Sequence, residues 1–259
     1  MNILVANDDG IKARGIAELT KALALAGHEV YVVAPTEQRS AFSHALSMHG
    51  DIVIRRTENF PYAKEAYTVS GTPADCVKIG LCYLKKKSVT IDMICTGINH
   101  GGNLGTDAIY SGTVAAAAEG VLAGLPSMAV SVDAHDAEYF EAACKAAVKL
   151  LPAAYRLGTA DGIPAVVNIN SPNLPESEIK GILPAKLGVV KYDDVLFEAE
   201  HSEDGAVYRY AGEPVQDENE TEEMDTYLIR EGYITVAMIQ YDMNDYKGLE
   251  ILKKQEEMK

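Results

Sequence analysis

The sequence predicts a single α/β domain, residues 1–259, built on a Rossmann-like, doubly wound and mostly parallel sheet. Three observations support this fold class. The chain has 259 residues, 47% of them hydrophobic, which is enough for one large core. Apolar runs of strand length alternate with stretches of helical periodicity as far as residue 170. Gly27 and Gly124 follow two of the helical stretches, as helix-ending glycines do.

The first 35 residues predict a strand, a helix and a second strand. Residues 3–6 are a short apolar run, and residues 14–26 carry apolar side chains on roughly one helical face. Residues 29–34 are rich in β-branched side chains. Two strands joined by such a helix must be parallel, and the crossover is expected to be right-handed.

The alternation continues through the next four strands and three helices. Thr72-Pro73-Ala74-Asp75 has the residue types of a helix start, with a capping hydroxyl, a proline in the first turn and a nearby carboxylate. In a doubly wound sheet, the loops at the carboxyl ends of the strands hold the site. The predicted strands are 66–69, 91–95, 127–132 and 165–169, and the predicted helices are 73–85, 111–123 and 139–151.

After about residue 171 the pattern changes to that of a β-hairpin arm. Residues 189–199 and 206–210 are predicted to pair around Glu203-Asp204-Gly205, and the acidic stretch 213–231 is predicted to lie on the surface. Strand character returns at 233–240. We therefore predict a core of about 1–170 plus a closing strand near 233–241, and an arm of about 181–231. A two-stranded ribbon is marginally stable alone, so the arm is predicted to serve in oligomerisation.

Composition limits the partners of the chain. The formal net charge of −15 argues against binding to duplex nucleic acid, whose affinity comes largely from neutralising phosphates. The most apolar region, 114–132, contains Glu119 and Pro126, so it does not predict a membrane span. Four cysteines without C-x-x-C spacing and an apolar strand at the very start predict a reduced, cytoplasmic protein.

The loop after the first strand carries two adjacent carboxylates, in Asn7-Asp8-Asp9-Gly10. A turn at Gly10 would let both side chains converge, and two like charges about 4 Å apart repel by roughly 4 kcal/mol at an effective dielectric near 20. A divalent cation between them reverses the sign of that energy. The alternative is that one aspartate caps the next helix and the other faces water.

Two further loops are expected at the same edge of the sheet. The loop after the second strand offers Arg39 and Ser40, although these residue types are also common in turns and surface ion pairs. The glycine-rich segment from Thr96 to Gly105 leads to Ser111, where a helix begins, and a helix N-terminus suits a phosphate. Ser111 is equally well explained as a helix cap. His44 and His100 are weak candidates for proton donors.

Together these motifs resemble those of the SurE family, the stationary-phase survival proteins with 5′/3′-nucleotidase activity. Their order and spacing match from residue 1 to about 132, and Met224 and Ala237-Met238 depart from the family pattern. The resemblance implies one divalent ion, Mg²⁺ or Mn²⁺, held by Asp8, Asp9, Ser40 and Asn99, and a dimer or tetramer. The motifs are Asn7-Asp8-Asp9-Gly10, Arg39-Ser40, Gly71-Thr72-Pro73-Ala74-Asp75-Cys76, Gly97-Ile98-Asn99 and Tyr110-Ser111-Gly112-Thr113-Val114.

The expected reaction is metal-dependent hydrolysis of nucleoside 5′-monophosphates, with 3′-monophosphates and short polyphosphate as further candidate substrates. Carboxylate, hydroxyl and amide oxygens suit Mg²⁺ or Mn²⁺. Asp9, or alternatively Asp8, is the candidate catalytic residue that orients the attacking water. The candidate phosphate-binding residues are Asn99, Ser111, Gly112 and Thr113.

Two other functions fit parts of the sequence. Gly27-His28-Glu29-Val30 resembles the start of a nucleotide-sugar transferase domain, although the chain is short for two such domains. An acidic pair after the first strand also occurs in receiver-like switches that bind Mg²⁺. The exit of the third predicted strand, at Ser70, offers only hydroxyls where a receiver needs an aspartate.

Overall fold

The computed structural model describes residues 1–159, 165–193, 196–202, 204–210, 212 and 214–256. The first part of the chain alternates strands and helices in the predicted order. These elements are β1 (Asn2–Ala6), α1 (Arg14–Leu25), β2 (Glu29–Pro35), β3 (Ile54–Thr57), β4 (Glu65–Val69), α2 (Pro73–Lys86), β5 (Met93–His100), α3 (Gly112–Leu122), β6 (Ser127–Asp133), α4 (Glu141–Thr159) and β7 (Ala165–Pro172).

The remainder forms the sheet edge, the arm and two more helices. Its elements are β8 (Gly181–Pro184), β9 (Lys191–Tyr192), β10 (Leu196–Ser202), β11 (Gly205–Tyr210), β12 (Pro214–Val215), α5 (Asp225–Arg230), β13 (Tyr233–Gln240) and α6 (Tyr246–Glu256). Short 3₁₀ turns occupy Gly105–Ile109 and Glu176–Glu178.

The main sheet has nine strands in the order β3-β4-β2-β1-β5-β6-β7-β13-β8. The pairs from β4 to β7 are parallel, whereas β3 pairs with β4, and β13 with β7, in the antiparallel sense. The chain builds outward from β1 through β2 to β4 and then crosses back to β5 on the other side of β1. The predicted doubly wound, mostly parallel sheet is therefore confirmed, with its switch point between β1 and β5.

Helices cover both faces of this sheet because alternate residues of β1 point to opposite sides. Ile3 and Val5 pack in one buried cluster together with apolar residues of α1 and α4. Leu4 and Ala6 pack in a second cluster with α2 and with Ala116 of α3. Within the described residues, no helix is long and apolar enough to cross a membrane.

The arm differs from its prediction in extent. The hairpin consists of β10 and β11, which pair antiparallel, and Glu203 of the predicted turn lies outside the described residues. Residues 191–192, expected in the first hairpin strand, pair instead with β12. The acidic stretch is also not all on the surface, because α5 buries Asp225, Thr226, Leu228 and Ile229.

Candidate metal centre and phosphate site

The candidate site lies at the carboxyl edge of the sheet, at its switch point. β1 pairs with β2 on one side and β5 on the other, with Ala6 opposite Thr96. The residues that follow β1 therefore face the end of β5, where Asn99 and His100 lie. In open α/β sheets this crevice is where ligands bind.

A tight turn fixes the acidic pair after β1. The buried Asn7 side chain donates through Nδ2 to the Gly10 carbonyl at 2.9 Å and accepts from the Gly10 N–H at 3.2 Å. Gly10 has φ +93°, a conformation that L side chains rarely adopt. The sequence motif thus works as a turn whose two intervening residues, Asp8 and Asp9, project into the crevice.

Asp8 is almost fully buried, with 4% of its surface exposed. The Thr113 hydroxyl donates to its Oδ1 at 2.6 Å. Burial raises the pKa of Asp8 to about 6, the Thr113 hydrogen bond opposes this rise, and the negative charge of Asp9 adds to it. The anionic form of Asp8 is therefore costly without a compensating cation.

Asp9 is partly buried and lies against the end of β5, where its Oδ2 accepts the His100 backbone N–H at 3.2 Å. Burial raises the pKa of Asp9, and the hydrogen bond from His100 partly offsets that rise. The alternative in which one aspartate caps α1 does not occur, because Ala13 is the N-cap residue and makes no side-chain cap. Two adjacent carboxylates with raised pKa values fit a divalent cation.

Asn99 contributes an amide from the neighbouring strand. Its side chain is nearly buried, and Nδ2 donates to the Gly101 carbonyl at 2.7 Å, so the amide oxygen points away from Gly101. A register shift between β5 and β6 lies just before Asn99 and re-aims the end of the strand. The structure thus places Asn99 beside the acidic pair.

The loop after β2 reaches the site through its backbone. The Arg39 N–H donates to the Asp8 carbonyl at 2.7 Å, which places Ser40 next to the acidic turn. Ser40 is exposed, and its Oγ accepts from Gln38 Nε2 at 2.9 Å. The Arg39 guanidinium pairs with Glu37 at 2.8 Å, so Arg39 makes a surface ion pair.

The N-terminus of α3 approaches the acidic pair directly. Ser111 is the N-cap residue, and its Oγ accepts the Val114 N–H at 3.0 Å. A Cβ on Gly112 would lie 3.0 Å from Asp8 Oδ2, so a larger residue here would require its neighbours to shift by a few tenths of an ångström. Thr113 is fully buried and its hydroxyl is bonded to Asp8. The first turn of α3 therefore directs free N–H groups toward the space beside Asp8.

The sequence prediction missed a buried polar network beneath the glycine-rich loop. Asn103 donates through Nδ2 to Ser131 at 2.7 Å, and its carbonyl accepts from Asn168 and Asn170. The sequence did contain a signal for this network, because Asn168 and Asn170 interrupt the apolar run of β7. Asp225, which accepts the Gly105 and Gly188 N–H groups, gave no such signal because it follows several other acidic residues.

The candidate ligands are all oxygen donors. Among the described residues, no three His, Cys, Asp or Glu side chains cluster as a metal site. Asp8, Asp9 and Asn99 supply carboxylate and amide oxygens, and Ser40 lies on the adjoining loop. Hard oxygen donors of this kind fit Mg²⁺ or Mn²⁺ and do not fit a typical zinc site.

The fold and the site define a Rossmann-like α/β protein with an acidic pair and a helix N-terminus at the switch point of its sheet. A family model described as survival protein SurE matches residues 3–194. The chain belongs to the SurE family. Because the family model matches most of the chain, we set aside the nucleotide-sugar transferase and the receiver-like switch as alternative functions.

Relatives and a solved structure match nearly the full length. A protein named 5′-nucleotidase SurE from Clostridium beijerinckii is 40% identical over 257 residues, or 98% of each chain. Another from Synechococcus elongatus is 42% identical over 256 residues, covering 96% of this chain and 97% of its own. The crystal structure of SurE protein from Aquifex aeolicus is 33% identical, with a TM-score of 0.82 over 99% of this chain and 100% of that one.

Proposed function

We propose that this chain is a 5′-nucleotidase, a metal-dependent phosphomonoesterase that converts nucleoside 5′-monophosphates to nucleoside and phosphate. The nucleotidase class is supported by curated relatives of that name at about 40% identity over nearly the whole chain. Nucleoside 3′-monophosphates and short polyphosphate are further candidate substrates, because carboxylates, an amide and helix N–H groups suit a phosphoryl group whichever ester carries it.

The observation that carries the proposal is the acidic pair, of which Asp8 is buried against the N-terminus of α3. Burial disfavours the charged forms of Asp8 and Asp9, and a divalent cation would restore them. The first helical turn of α3 begins beside Asp8, and its N–H groups suit an anion. A cation site beside a phosphate site is the arrangement that metal-assisted hydrolysis of a phosphate ester uses.

Each residue then has a proposed role. Asp8, Asp9, Asn99 and Ser40 would hold Mg²⁺ or Mn²⁺, which supplies charge neutralisation for the phosphoryl oxygens and lowers the pKa of a bound water. Thr113 holds Asp8 in place through its hydroxyl. Asp9, kept in position by the His100 N–H, orients the attacking water and accepts its proton.

The α3 N-terminus would bind the phosphoryl group. The backbone N–H groups of Gly112 and Thr113, with the Asn99 amide, stabilise the equatorial oxygens as negative charge spreads over them. Ser111 fixes the start of the helix through its cap to Val114 and so aims these groups. Water attacks phosphorus in line and gives a proton to Asp9, the P–O ester bond breaks, and the leaving oxygen takes a proton from solvent to become the hydroxyl of the nucleoside.

The direct test is release of phosphate from a nucleoside 5′-monophosphate with and without EDTA. Activity that is abolished by EDTA and restored by Mg²⁺ or Mn²⁺ is the expected result. Asp8→Asn should abolish it, whereas Asp51→Asn, at an exposed aspartate, should leave it unchanged. EDTA-resistant turnover, or full activity of Asp8→Asn with Mn²⁺, would contradict the proposal.

We also propose that the chain forms a homodimer or homotetramer through its arm. β10 and β11 form a separate two-stranded sheet, and Val207 and Tyr208 of β11 are 47% and 55% exposed. Such a ribbon gains stability by packing on another surface. Sedimentation at micromolar concentration should give a dimer or larger species, and a monomer there would refute this assembly.

A further inference from the structure

The loop that carries Ser40 has no secondary structure of its own and is held by contacts with other parts of the chain. Residues 36–53 contain no helix or strand, and both Ala41 and Ser43 have positive φ, at 56° and 51°. A non-glycine residue in that region costs of order 1 kcal/mol or more, so it persists only when surrounding contacts hold it. Ser40 therefore depends on the anchors of this loop for its position.

Several of those anchors are backbone contacts. The Ser43 N–H donates to the Tyr110 carbonyl at 3.0 Å, and the Thr72 hydroxyl donates to the Ala45 carbonyl at 2.7 Å. The Ser47 N–H lies 3.2 and 3.3 Å from the two Asp75 carboxylate oxygens. These bonds tie the loop to the starts of α2 and α3.

One anchor is a side-chain contact with a buried carboxylate. Glu119 of α3 is only 4% exposed, and its Oε1 lies 2.8 Å from His44 Nε2. Its Oε2 accepts from Lys78 Nζ of α2 at 2.9 Å. A buried carboxylate needs such partners, because an unpaired charge inside a protein is strongly destabilising. Glu119 therefore joins α2, α3 and the loop at one point.

The two partners of Glu119 differ in what they hold. Lys78 connects it to another helix, whereas His44 connects it to a loop residue four positions after Ser40. Glu119 itself lies in α3, and this helix begins at Gly112, next to Asp8. Glu119 thus fixes the loop to the element that also positions the acidic pair.

We propose that Glu119, acting through His44, is a positioning residue that holds the 39–47 loop so that Ser40 reaches the metal site. This inference rests on the proposed metal-dependent function. Neither Glu119 nor His44 needs to touch the ion or the substrate. Outer groups that orient metal ligands typically change affinity or activity by about 10- to 100-fold when removed.

The test compares His44→Ala with Lys78→Met, which removes the other partner of Glu119 without touching the loop. The first readout is direct Mn²⁺ binding measured by electron paramagnetic resonance. The second is the initial rate of tryptic cleavage after Arg39 without added metal, followed by mass spectrometry. His44→Gln is the rescue variant, because its amide can still donate to Glu119.

We expect His44→Ala to weaken Mn²⁺ binding by about 10-fold or more and to speed cleavage after Arg39 by a similar factor. His44→Gln should recover most of both losses, and Lys78→Met should match the unsubstituted protein in both readouts. Glu119→Gln should have a Mn²⁺ affinity and a cleavage rate between those of His44→Ala and those of the unsubstituted protein. Its fold is checked by circular dichroism before it is compared.

The outcomes separate this inference from the proposed function. Equal Mn²⁺ affinity and equal cleavage in His44→Ala and the unsubstituted chain would overturn the inference alone. Equal losses in Lys78→Met and His44→Ala would also overturn it, because they would show a general role in stability. Failure of the unsubstituted chain to bind Mn²⁺ would overturn the proposed metal site as well.

Discussion

At the scale of single residues, Asp8 shows the conflict between stability and function most clearly. Its pKa is raised to about 6, mainly by burial, so the folded protein binds this proton more tightly than the unfolded chain does. Without metal, the contribution of Asp8 to stability is therefore largest at low pH. It falls as the pH rises between about 4 and about 6, by roughly 3 kcal/mol in all.

This cost gives a prediction for metal-free protein. In EDTA at pH 8, Asp8→Asn should raise Tm by roughly 5 °C, because it removes a buried charge and keeps an acceptor for Thr113. At pH 4.5 the difference should shrink. Calorimetry at both pH values checks this, with Asp51→Asn as the control. A lower Tm for Asp8→Asn at pH 8 would contradict the assigned cause.

Thr113 gives a second prediction at this scale. Thr113→Val removes the hydroxyl bonded to Asp8 and keeps the shape of the side chain. It should lower kcat/KM by about 10- to 100-fold and increase the metal concentration needed for half-maximal activity. Thr113→Ser retains the hydroxyl and should recover most of the activity. Parallel loss in Val and Ser variants would assign the effect to packing instead.

At the scale of elements, prediction succeeded where the signal is local. The apolar runs of β1, β2 and β6 lie within one residue of their predicted bounds, because burial on both faces gives a continuous apolar strand. β13 also has its predicted bounds, although its last residues are partly exposed. The capping residues of α2 likewise form the predicted N-terminus, with Thr72 and Asp75 in a reciprocal capping box.

Prediction failed where contacts distant in sequence outweigh local preference. β5 was expected to end at residue 95 but runs to His100, because pairing with β6 resumes beyond the register shift. α4 continues through Pro152 to Thr159, where burial of Leu151 and Ala154 offsets the lost hydrogen bond. β3, with two exposed arginines, and α6 were not predicted.

Asp225 allows a prediction for the element it anchors. It is fully buried in the first turn of α5 and accepts the N–H groups of Gly105 at 2.9 Å and Gly188 at 2.8 Å. Asp225→Ala leaves these donors unpaired and should lower the free energy of unfolding by about 2–4 kcal/mol. Hydrogen exchange should speed up at residues 104–106 and 187–189.

Exchange in β1 and β2 provides the internal reference for that experiment. Those strands lie in the centre of the sheet, so their protection should fall only with global stability. Exchange that rises equally in β1 and in the 104–106 segment would show that Asp225 has no local role.

At the scale of the whole molecule, the proximity of the site residues follows only from the strand order of the fold. Asp8 and Asn99 are 91 positions apart in sequence, and only the strand order places the ends of β1 and β5 side by side. The sequence motifs predicted that Asp8 and Asn99 belong to the site. Their contacts, such as Thr113 with Asp8 and His44 with Glu119, depend on side-chain packing that no local pattern encodes.

The overall charge gives a prediction at this scale. With 38 acidic and 23 basic residues, the chain should show no affinity for duplex DNA at micromolar protein and low salt. Nucleoside monophosphates should instead bind in a cation-dependent manner, since the local anion-binding groups are weak against a net charge of −15. An electrophoretic shift of duplex DNA that disappears with salt would contradict this expectation.

The position of β13 has a consequence for how the chain is made. This strand lies between β7 and β8 in the finished sheet, although it is formed by residues 233–240. During synthesis from the N-terminus, one edge of β7 therefore stays unpaired until the arm and then β13 have left the ribosome. An unpaired edge strand is a template for association with other chains. Premature termination before residue 233 should thus yield aggregation-prone fragments, because β7 would keep an unpaired edge.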